Sequence, residues 1–379
     1  MSGDTRGART DAWPEAPGTE ARVDVAWLAG EQPAAASMRV AARPGARLVV
    51  LGASGYTGQE FARLALAHPA LEVVALGSRA HAGAAADNAL PGLDARARPL
   101  PPLRDPAELA SWFERGAADT LVSCLPHGAW RELAAEHPAL AALPAWIVDL
   151  SADRRDGLDG WAYGLPEAFR DTLAGAPRIA NPGCYPTAFA LALLPAASAG
   201  LLDGPVSVVA LSGVSGAGRG ASARTSFVEL DGGASIYRAG VEHPHVVEME
   251  RTLARLGAPL PVGFVPQLVP MARGILLTAT ALLVRPHDPD EMRALYRERY
   301  AREPFVRVLP AGSWPETRAV RHSNRCDVAV TTLHGGRTLL ATAALDNLVK
   351  GAAGQAIQNL NLMLGWPETT GLPAHGLPW

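Results

Sequence analysis

Cysteine is scarce in the sequence, and its few copies are scattered. Among 379 residues only Cys124, Cys184 and Cys326 carry a thiol, and no two of them form a CxxC pair. Zinc sites use paired cysteines and disulfide frameworks use many, so this pattern argues against both. Isolated thiols fit a reducing, cytoplasmic environment.

A large net charge and a long apolar run are also missing. The formal net charge is −3, which gives no electrostatic reason to expect a nucleic acid or an anionic membrane as a partner. No stretch is apolar for long enough to cross a bilayer. Hydrophobic residues make up 48% and charged residues 19%, a composition typical of soluble globular proteins. The length is sufficient for two domains.

The N-terminal segment lacks the hydrophobic periodicity of a folded element. Residues 1–46 are rich in Ala, Pro, Gly and Arg, and acidic residues occur among the arginines. A signal peptide needs an apolar core and a transit peptide is poor in acids, so neither fits. We predict a disordered extension, with Met38 as a candidate start. The alternative is a short segment containing Trp13 and Trp27 that packs on the folded body.

A glycine-rich turn follows the first predicted strand, residues 47–51. The turn, residues 52–58, has the sequence GASGYTG and leads into a helical pattern over residues 59–67. In a strand–turn–helix unit the first glycine makes the tight turn, the second lets the backbone approach a pyrophosphate, and the third lets the helix pack on the strand. The spacing is GxxGxxG rather than GxGxxG, so an ordinary βα turn is the alternative to a dinucleotide site.

The second predicted strand, residues 71–76, ends before two residues that bear on the coenzyme. An NAD-binding unit tends to have an acid here for the ribose 2′-hydroxyl. This chain has Ser78 and Arg79 instead. A hydroxyl and a guanidinium suit a 2′-phosphate, which favours NADP(H) over NAD. The alternative is a solvated arginine in a surface turn.

Two further strands of parallel-sheet type are predicted at residues 120–125 and 146–150. Cys124 lies within the first of them and is expected in the core. Loops at the carboxyl ends of such strands line the cofactor crevice. His127, in the loop after the first of these two strands, therefore either faces the site or has a structural role.

Between about Leu201 and Leu345 few helices separate the strands. Strands are predicted at residues 206–211, 263–265, 274–284, 328–330 and 338–345. This pattern, with a helix over residues 290–302, indicates an α+β domain with a mostly antiparallel sheet. A last helix, residues 347–364, is rich in Gly and Ala, which suits close packing against the first domain.

The sequence therefore predicts an α/β protein with two domains. A Rossmann-type NADP-binding domain covers residues 47–185 and is completed by a C-terminal helix at residues 346–365. An α+β domain over residues 186–345 supplies catalytic and oligomerisation functions.

One cysteine stands in a tight turn with the sequence NPGCYPT, residues 181–187. An apolar stretch, residues 188–194, follows at once and predicts a buried helix that Pro195 interrupts or ends. Cys184 is then at or near a helix N-terminus, where free N–H groups and the helix dipole favour a thiolate. A thiolate there is a candidate nucleophile. The alternative is a small buried hydrophobic residue.

Three polar clusters lie between the strands of the second half. The loop of residues 212–219 is rich in glycine and ends in Arg219, so its amides and guanidinium can hold an anion or the loop can simply be flexible. His243 and His245 are two residues apart and suit proton transfer; a third partner at metal-site spacing is missing. Arg273 precedes a strand, as an anion clamp or a surface ion pair.

Together these motifs resemble the N-acetyl-γ-glutamyl-phosphate reductase family, whose members are built like aspartate-semialdehyde and glyceraldehyde-phosphate dehydrogenases. The resemblance covers about residues 47–365, and the NPGCYPT stretch is highly specific to the family. The matching stretches are residues 52–58, 126–128, 149–154, 163–167, 181–187, 212–219, 243–248, 273–275, 323–327 and 346–358.

The resemblance implies a role for each candidate residue. Cys184 would be the catalytic nucleophile and His243 the acid/base, with His245 the close alternative. The residues implied to bind the cofactor NADP(H) are Gly52, Ser54, Gly55, Tyr56, Thr57, Gly58, Ser78, Arg79 and Asn347. Those implied to bind the acyl-phosphate substrate are Ser215, Gly216, Arg219 and Arg273.

The implied reaction is the NADPH-dependent reduction of N-acetyl-γ-glutamyl phosphate through a cysteine thioester, in arginine biosynthesis. Two alternatives stay open: reduction of a carrier-linked aminoadipyl phosphate in lysine biosynthesis, and a non-catalytic NADP-binding protein. Residue types alone do not choose between acyl groups that differ by one methylene. The resemblance also implies a homo-oligomer, a dimer or tetramer joined through the second sheet.

Overall fold

Two seven-stranded sheets organise the part of the chain that the structure describes. The structure is a computed structural model that describes residues 45–93, 99–220, 222–241 and 243–377. The predicted disordered extension, residues 1–46, lies outside these ranges except for its last two residues. No helix within the described ranges is long and apolar enough to cross a membrane.

The first sheet is entirely parallel, with strand order β3-β2-β1-β4-β5-β7-β6. Its strands are β1 (Ala46–Leu51), β2 (Leu71–Gly77), β3 (Leu103–Arg104), β4 (Thr120–Ser123), β5 (Trp146–Asp149), β6 (Ala162–Tyr163) and β7 (Arg178–Ala180). Residues 48–51 have no exposed surface, as expected where helices cover both faces of a parallel sheet. The Rossmann-type prediction is confirmed.

The second sheet is mixed, with strand order β12-β13-β14-β11-β8-β10-β9. Its strands are β8 (Leu202–Ser212), β9 (Ser235–Ile236), β10 (Val262–Leu268), β11 (Ile275–Leu283), β12 (Val306–Val308), β13 (Cys326–Leu333) and β14 (Thr338–Leu345). The pairs β8/β10 and β12/β13 are parallel, and the other pairings are antiparallel. This confirms the mostly antiparallel second sheet.

The helices of the described residues differ widely in length. They are α1 (Tyr56–Ala67), α2 (Ala86–Ala89), α3 (Ala110–Glu114), α4 (Ala129–Glu136), α5 (Ala139–Ala142), α6 (Pro166–Leu173), α7 (Cys184–Ser198), α8 (Phe227–Leu230), α9 (Pro244–Arg255), α10 (Pro289–Tyr300), α11 (Thr317–Val320) and α12 (Gly354–Met363). The helix predicted from residue 59 begins three residues earlier, because the glycine turn closes directly into α1.

Helix α7 continues through Pro195, so the expected interruption there is wrong. A proline removes the N–H that would bond the carbonyl four residues earlier, which is that of Leu191. The Tyr300 hydroxyl donates to this carbonyl at 2.6 Å, and the Tyr296 hydroxyl donates to that of Ala192 at 2.8 Å. Helix α10 therefore supplies the missing donor through Tyr300, and the buried helix keeps its length.

The last predicted helix starts differently from expectation. Residues Val349–Ala353 form a π-helical turn, and α12 follows it directly. Val349 and Ile357 are fully buried in the same apolar cluster as Leu48 and Val148 of the first sheet. The C-terminal segment thus packs against the first sheet, and its π-helical start lies towards α7.

Candidate active site

A cavity of about 770 Å³ opens at the carboxyl ends of β1, β2 and β4. Residues of three segments contribute much of its lining. They are the glycine turn (residues 52–58), the nucleophile turn (residues 181–187) and the loop of residues 215–220, and strand ends and residues 347–352 add to it. The edge of a parallel sheet where strand order reverses is the usual ligand crevice of this architecture.

The glycine turn exposes backbone donors to the cavity. Gly52 has φ +71°, and a Cβ there would lie 2.5 Å from the Cys124 carbonyl oxygen, so only glycine fits. Gly55 is the N-cap of α1 and offers no side-chain acceptor, which leaves the first N–H groups of the helix available. Such a helix end binds phosphate, so the turn fits a dinucleotide pyrophosphate.

Ser78 and Arg79 both line the cavity beside this turn. The Ser78 hydroxyl is buried and hydrogen bonds the Ser54 hydroxyl at 2.8 Å. The Arg79 side chain is 68% exposed and pairs with Glu136 at 3.6 Å. An exposed pair of this kind is weak, so the guanidinium is available to an anion at the cavity rim.

Cys184 is the first residue of α7, with Gly183 as the N-cap. A buried set of side chains holds the turn before it. Glu248 accepts from the Gly183 N–H at 2.8 Å and from the Tyr163 hydroxyl at 2.9 Å. Arg155 pairs with Glu248 at 2.9 Å and donates to the Asn181 carbonyl at 2.8 Å. The position of the sulfur therefore depends on two buried, mutually paired charges.

Burial raises the pKa of the Cys184 thiol to about 11, against the opposing effects of the Arg155 guanidinium and nearby backbone N–H groups. The sequence argument that a helix N-terminus favours a thiolate is therefore outweighed here. The cost of placing a charged sulfur away from water exceeds the gain from the helix end. The resting nucleophile is a thiol that needs a base.

The two histidines occupy different positions. His243 is the N-cap of α9, where its Nδ1 accepts from the His245 N–H at 3.1 Å, and it is 8% exposed. His245 lines the cavity, whereas His243 is absent from the described residues that do so. A Cβ on Gly183 would lie 2.7 Å from His245 Nε2, which shows how close this ring is to the nucleophile turn. The geometry favours His245 over His243 as the candidate acid/base.

Both imidazoles are held neutral. Burial, with the Arg238 charge, lowers the pKa of His243 to about 4. Burial, with the Arg155 charge, lowers the pKa of His245 well below its usual range. A neutral imidazole has no charge with which to stabilise a thiolate, and its lowered pKa also makes it a weaker proton acceptor than an ordinary imidazole. The expected imidazolium beside the sulfur is therefore replaced by a base beside a thiol.

The remaining predicted residues separate into two groups. Asn347 donates to the Ser215 hydroxyl at 2.9 Å and accepts from the Gly274 N–H at 2.8 Å, and it lines the cavity. Gly216 and Arg219 also line the cavity, and Arg219 donates to the Ser54 carbonyl at 3.0 Å. The loop thus reaches across to the glycine turn.

Arg273 belongs to the second group, because it is paired away from the cavity. Its guanidinium lies 2.8 Å from Glu60 and 3.7 Å from Asp346, and it is absent from the described residues that line the cavity. Both carboxylates are buried. Two carboxylates already pair with this guanidinium, which favours the ion-pair alternative, and the anion contact at Arg273 stays a prediction.

Several residues of the site were not predicted from the sequence. Arg155 and Glu248 are two of them, although Glu248 follows His245 by three residues and so shares its helix face. Cys124, expected within a strand, lies just beyond β4 and lines the cavity. His127 also lines it, and its Nδ1 accepts from the Ala152 N–H at 2.9 Å, which leaves Nε2 as the donor.

Within the described residues no group of three or more His, Cys, Asp or Glu could hold a metal ion.

Two family models match successive parts of the chain. The model described as "Semialdehyde dehydrogenase, NAD binding domain" matches residues 47–176, and that described as "Semialdehyde dehydrogenase, dimerisation domain" matches residues 184–347. The chain is 44% identical over 345 residues to the N-acetyl-gamma-glutamyl-phosphate reductase of Halorhodospira halophila, covering 85% of this chain and 96% of that protein. It is 45% identical over 360 residues to the protein of the same name from Thermus thermophilus, covering 86% and 99%.

Solved structures share the fold at lower sequence similarity. Aspartate semialdehyde dehydrogenase II of Vibrio cholerae, complexed with ASA, superposes with a TM-score of 0.66 at 16% identity, covering 85% of this chain and 99% of that one. The aspartate semialdehyde dehydrogenase of Candida albicans with NADP gives 0.64 at 15% identity, covering 84% and 98%. These likenesses establish the two-sheet architecture.

Proposed function

The chain belongs to the family of N-acetyl-γ-glutamyl-phosphate reductases, and from this premise we propose that it reduces N-acetyl-γ-glutamyl phosphate with NADPH. The products are N-acetylglutamate semialdehyde, phosphate and NADP⁺, in a step of arginine biosynthesis. One observation carries the proposal. A cysteine at a helix N-terminus faces the same cavity as a glycine turn that fits a dinucleotide pyrophosphate.

The first half of the reaction is acyl transfer to sulfur. His245 accepts the thiol proton as the Cys184 sulfur attacks the acyl carbon of the substrate. The bond to the phosphate oxygen breaks, phosphate leaves with the electron pair, and a thioester remains on Cys184. Arg219 supports the departure of phosphate with its charge at the cavity rim.

The second half releases the aldehyde. When bound, NADPH supplies the hydride that reduces the thioester carbonyl. The bond to sulfur then breaks and the protonated His245 returns its proton to Cys184. Gly52–Gly58 would hold the pyrophosphate of the coenzyme, and Ser78 with Arg79 would hold its 2′-phosphate. Asn347, fixed through Ser215, would contact the nicotinamide end of the coenzyme. His243 fixes the start of α9 and so the orientation of His245.

We further infer a homo-oligomer joined through the outer face of the second sheet. Helix α7 packs on the inner face, while outer-face side chains such as Val209 and Leu282 are 42% and 53% exposed. Large apolar side chains left open to water on a sheet face favour a partner surface. The matching dimerisation-domain model supports the same reading. The two-domain division at residues 185 and 346 is part of this proposal.

The reverse reaction tests the function. We expect NADPH to form from N-acetylglutamate semialdehyde and NADP⁺ only when phosphate is present. If only the carrier-bound aminoadipate semialdehyde is turned over, the reaction type is as proposed but the substrate belongs to lysine biosynthesis. Tight NADP binding without turnover of either aldehyde would indicate a non-catalytic protein.

A further inference from the structure

The chain contains a single lysine, and it lies in the core. Of the 34 Lys and Arg residues, 33 are arginine and the exception is Lys350. Its side chain is 0% exposed, and its Nζ donates to Glu167 Oε1 at 2.5 Å and to Gln358 Oε1 at 2.8 Å. A buried ion pair costs desolvation, so it is weak evidence for stability and calls for another role.

The partners of Lys350 come from separate parts of the chain. Glu167 is in α6 and Gln358 is in α12. Gln358 also accepts from Asn324 at 3.0 Å and donates to Glu368 at 3.0 Å. The ammonium is therefore anchored to a polar network that connects α6, α12, the loop before β13 and the C-terminal segment.

The other side of the same π-helical turn touches the nucleophile. A Cβ on Gly351 would lie 2.8 Å from the Cβ of Cys184, so the turn backs directly onto that residue. The Ala352 carbonyl accepts from the Asn181 side chain at 3.3 Å, and Leu348, Gly351 and Ala352 line the cavity. The turn thus separates the anchored lysine from the reactive sulfur.

We propose that Lys350 is a positioning residue that holds this π-helical turn in register against Cys184. A π-helical turn contains an extra residue relative to an α-helix, and such turns occur frequently at functional sites. Without the anchor the turn relaxes and Gly351 moves away from Cys184. A compact ammonium fits between two enclosed oxygens, whereas the planar fork of an arginine needs more space. The kinetic consequence rests on the proposed reductase function; the geometric one does not.

The test compares Lys350→Met with a matched control, Asp327→Asn. Asp327 is 1% exposed and is paired with Arg307 and Arg325 at the second sheet, so the control also removes a buried charge from an ion pair. The first readout is the rate of Cys184 alkylation by iodoacetamide without ligands, resolved from the other thiols by peptide mass spectrometry. We expect Lys350→Met to change this rate at least about fivefold and to lower kcat about 100-fold with KM for NADPH unchanged. Asp327→Asn should leave both within about twofold.

A double variant, Lys350→Met with Glu167→Met, separates positioning from folding. Apolar replacement of a buried pair is often neutral or stabilising, so this variant should match the Tm of the wild type. We expect it to keep the altered alkylation rate and the low kcat. Three results would each overturn the proposal. They are a wild-type alkylation rate in the double variant, an equal change of rate in Asp327→Asn, and failure of the double variant to fold. If the wild type proves to lack reductase activity, the alkylation rates still decide the positioning role.

Discussion

Two walls of the cavity, the glycine turn and the nucleophile turn, are built in different ways. The glycine turn, residues 52–58, presents backbone N–H groups, and the steric need for Gly52 arises from the nearby Cys124 carbonyl. The nucleophile turn, residues 181–187, is held by side chains, and Glu248 lies 65 residues along the chain from Gly183. Binding of the coenzyme pyrophosphate therefore depends on local backbone geometry, and the reactivity of Cys184 depends on long-range side-chain contacts.

This contrast suggests that the two walls can be damaged separately. A pyrophosphate needs oriented amide donors and an open approach, which one short segment supplies. A cysteine nucleophile needs its sulfur within reach of both a base and the acyl carbon, which takes several elements. Substitutions in one wall should leave the function of the other nearly intact.

The largest effect should come from Cys184→Ser. We expect phosphate-dependent aldehyde oxidation to fall by about 10⁴-fold or more, because serine is a far weaker nucleophile at neutral pH. The dissociation constant of NADP should stay within about twofold, as measured by fluorescence titration. Cys326→Ala, a buried thiol away from the cavity, is the control and should keep its turnover. Retained turnover in Cys184→Ser would contradict the assigned nucleophile.

The pH dependence of Cys184 alkylation should be nearly as large. With the pKa of the thiol near 11, the thiolate fraction rises tenfold per pH unit below that value. The alkylation rate of the ligand-free protein should therefore increase about 1,000-fold from pH 7 to pH 10. Both imidazoles are neutral throughout this range, so no step is expected near pH 6.5. A plateau above pH 7 would show that the thiolate already exists at rest.

Glu248→Gln should have an intermediate effect on the nucleophile wall. It removes the charge that pairs with Arg155 and weakens the bond to the Gly183 N–H. We expect kcat to fall about 100-fold, since displacement of a reacting group by about 1 Å has this consequence. Glu250, on the same helix, accepts only from the Val262 N–H among the described residues. Glu250→Gln is therefore the control, and its kcat should stay within about twofold of the wild-type value. Equal losses in both variants would point to α9 as a whole.

The smallest effect is expected for Arg79→Ala, in the other wall. Loss of a charge-assisted bond to the 2′-phosphate should weaken NADP about tenfold. NAD lacks that phosphate and serves as the internal control, so its affinity should stay within about twofold. Titrating both coenzymes against wild type and variant measures the difference. An equal loss of affinity for NAD and NADP would remove the phosphate assignment.

The same contrast explains what could be predicted from the sequence. The glycine turn follows its strand at once, so its spacing and context were visible in the primary structure. The position of Cys184 at the start of α7 was visible for the same reason, since the turn and the helix are adjacent. Strand-type runs with few helices between them predicted the second sheet.

What could not be predicted depends on distant partners. The pKa of Cys184 follows from burial by segments that meet only in the fold. The sequence leaves Arg273 as an anion clamp or an ion pair, and its pairing with Glu60 of α1 is visible only in the fold. Pro195 reads as a helix end until Tyr300 supplies the missing donor. In each case a tertiary contact decides between alternatives that are equally consistent with local sequence.

The most direct test of the covalent mechanism uses the substrate without the coenzyme. Incubation of the protein with N-acetyl-γ-glutamyl phosphate should release one phosphate per active chain in a burst and leave an acyl group on Cys184. Peptide mass spectrometry after an acid quench identifies the modified residue. The account predicts a single hydroxylamine-sensitive thioester at Cys184, absent in Cys184→Ser. Burst release of phosphate with Cys184 unmodified would contradict it.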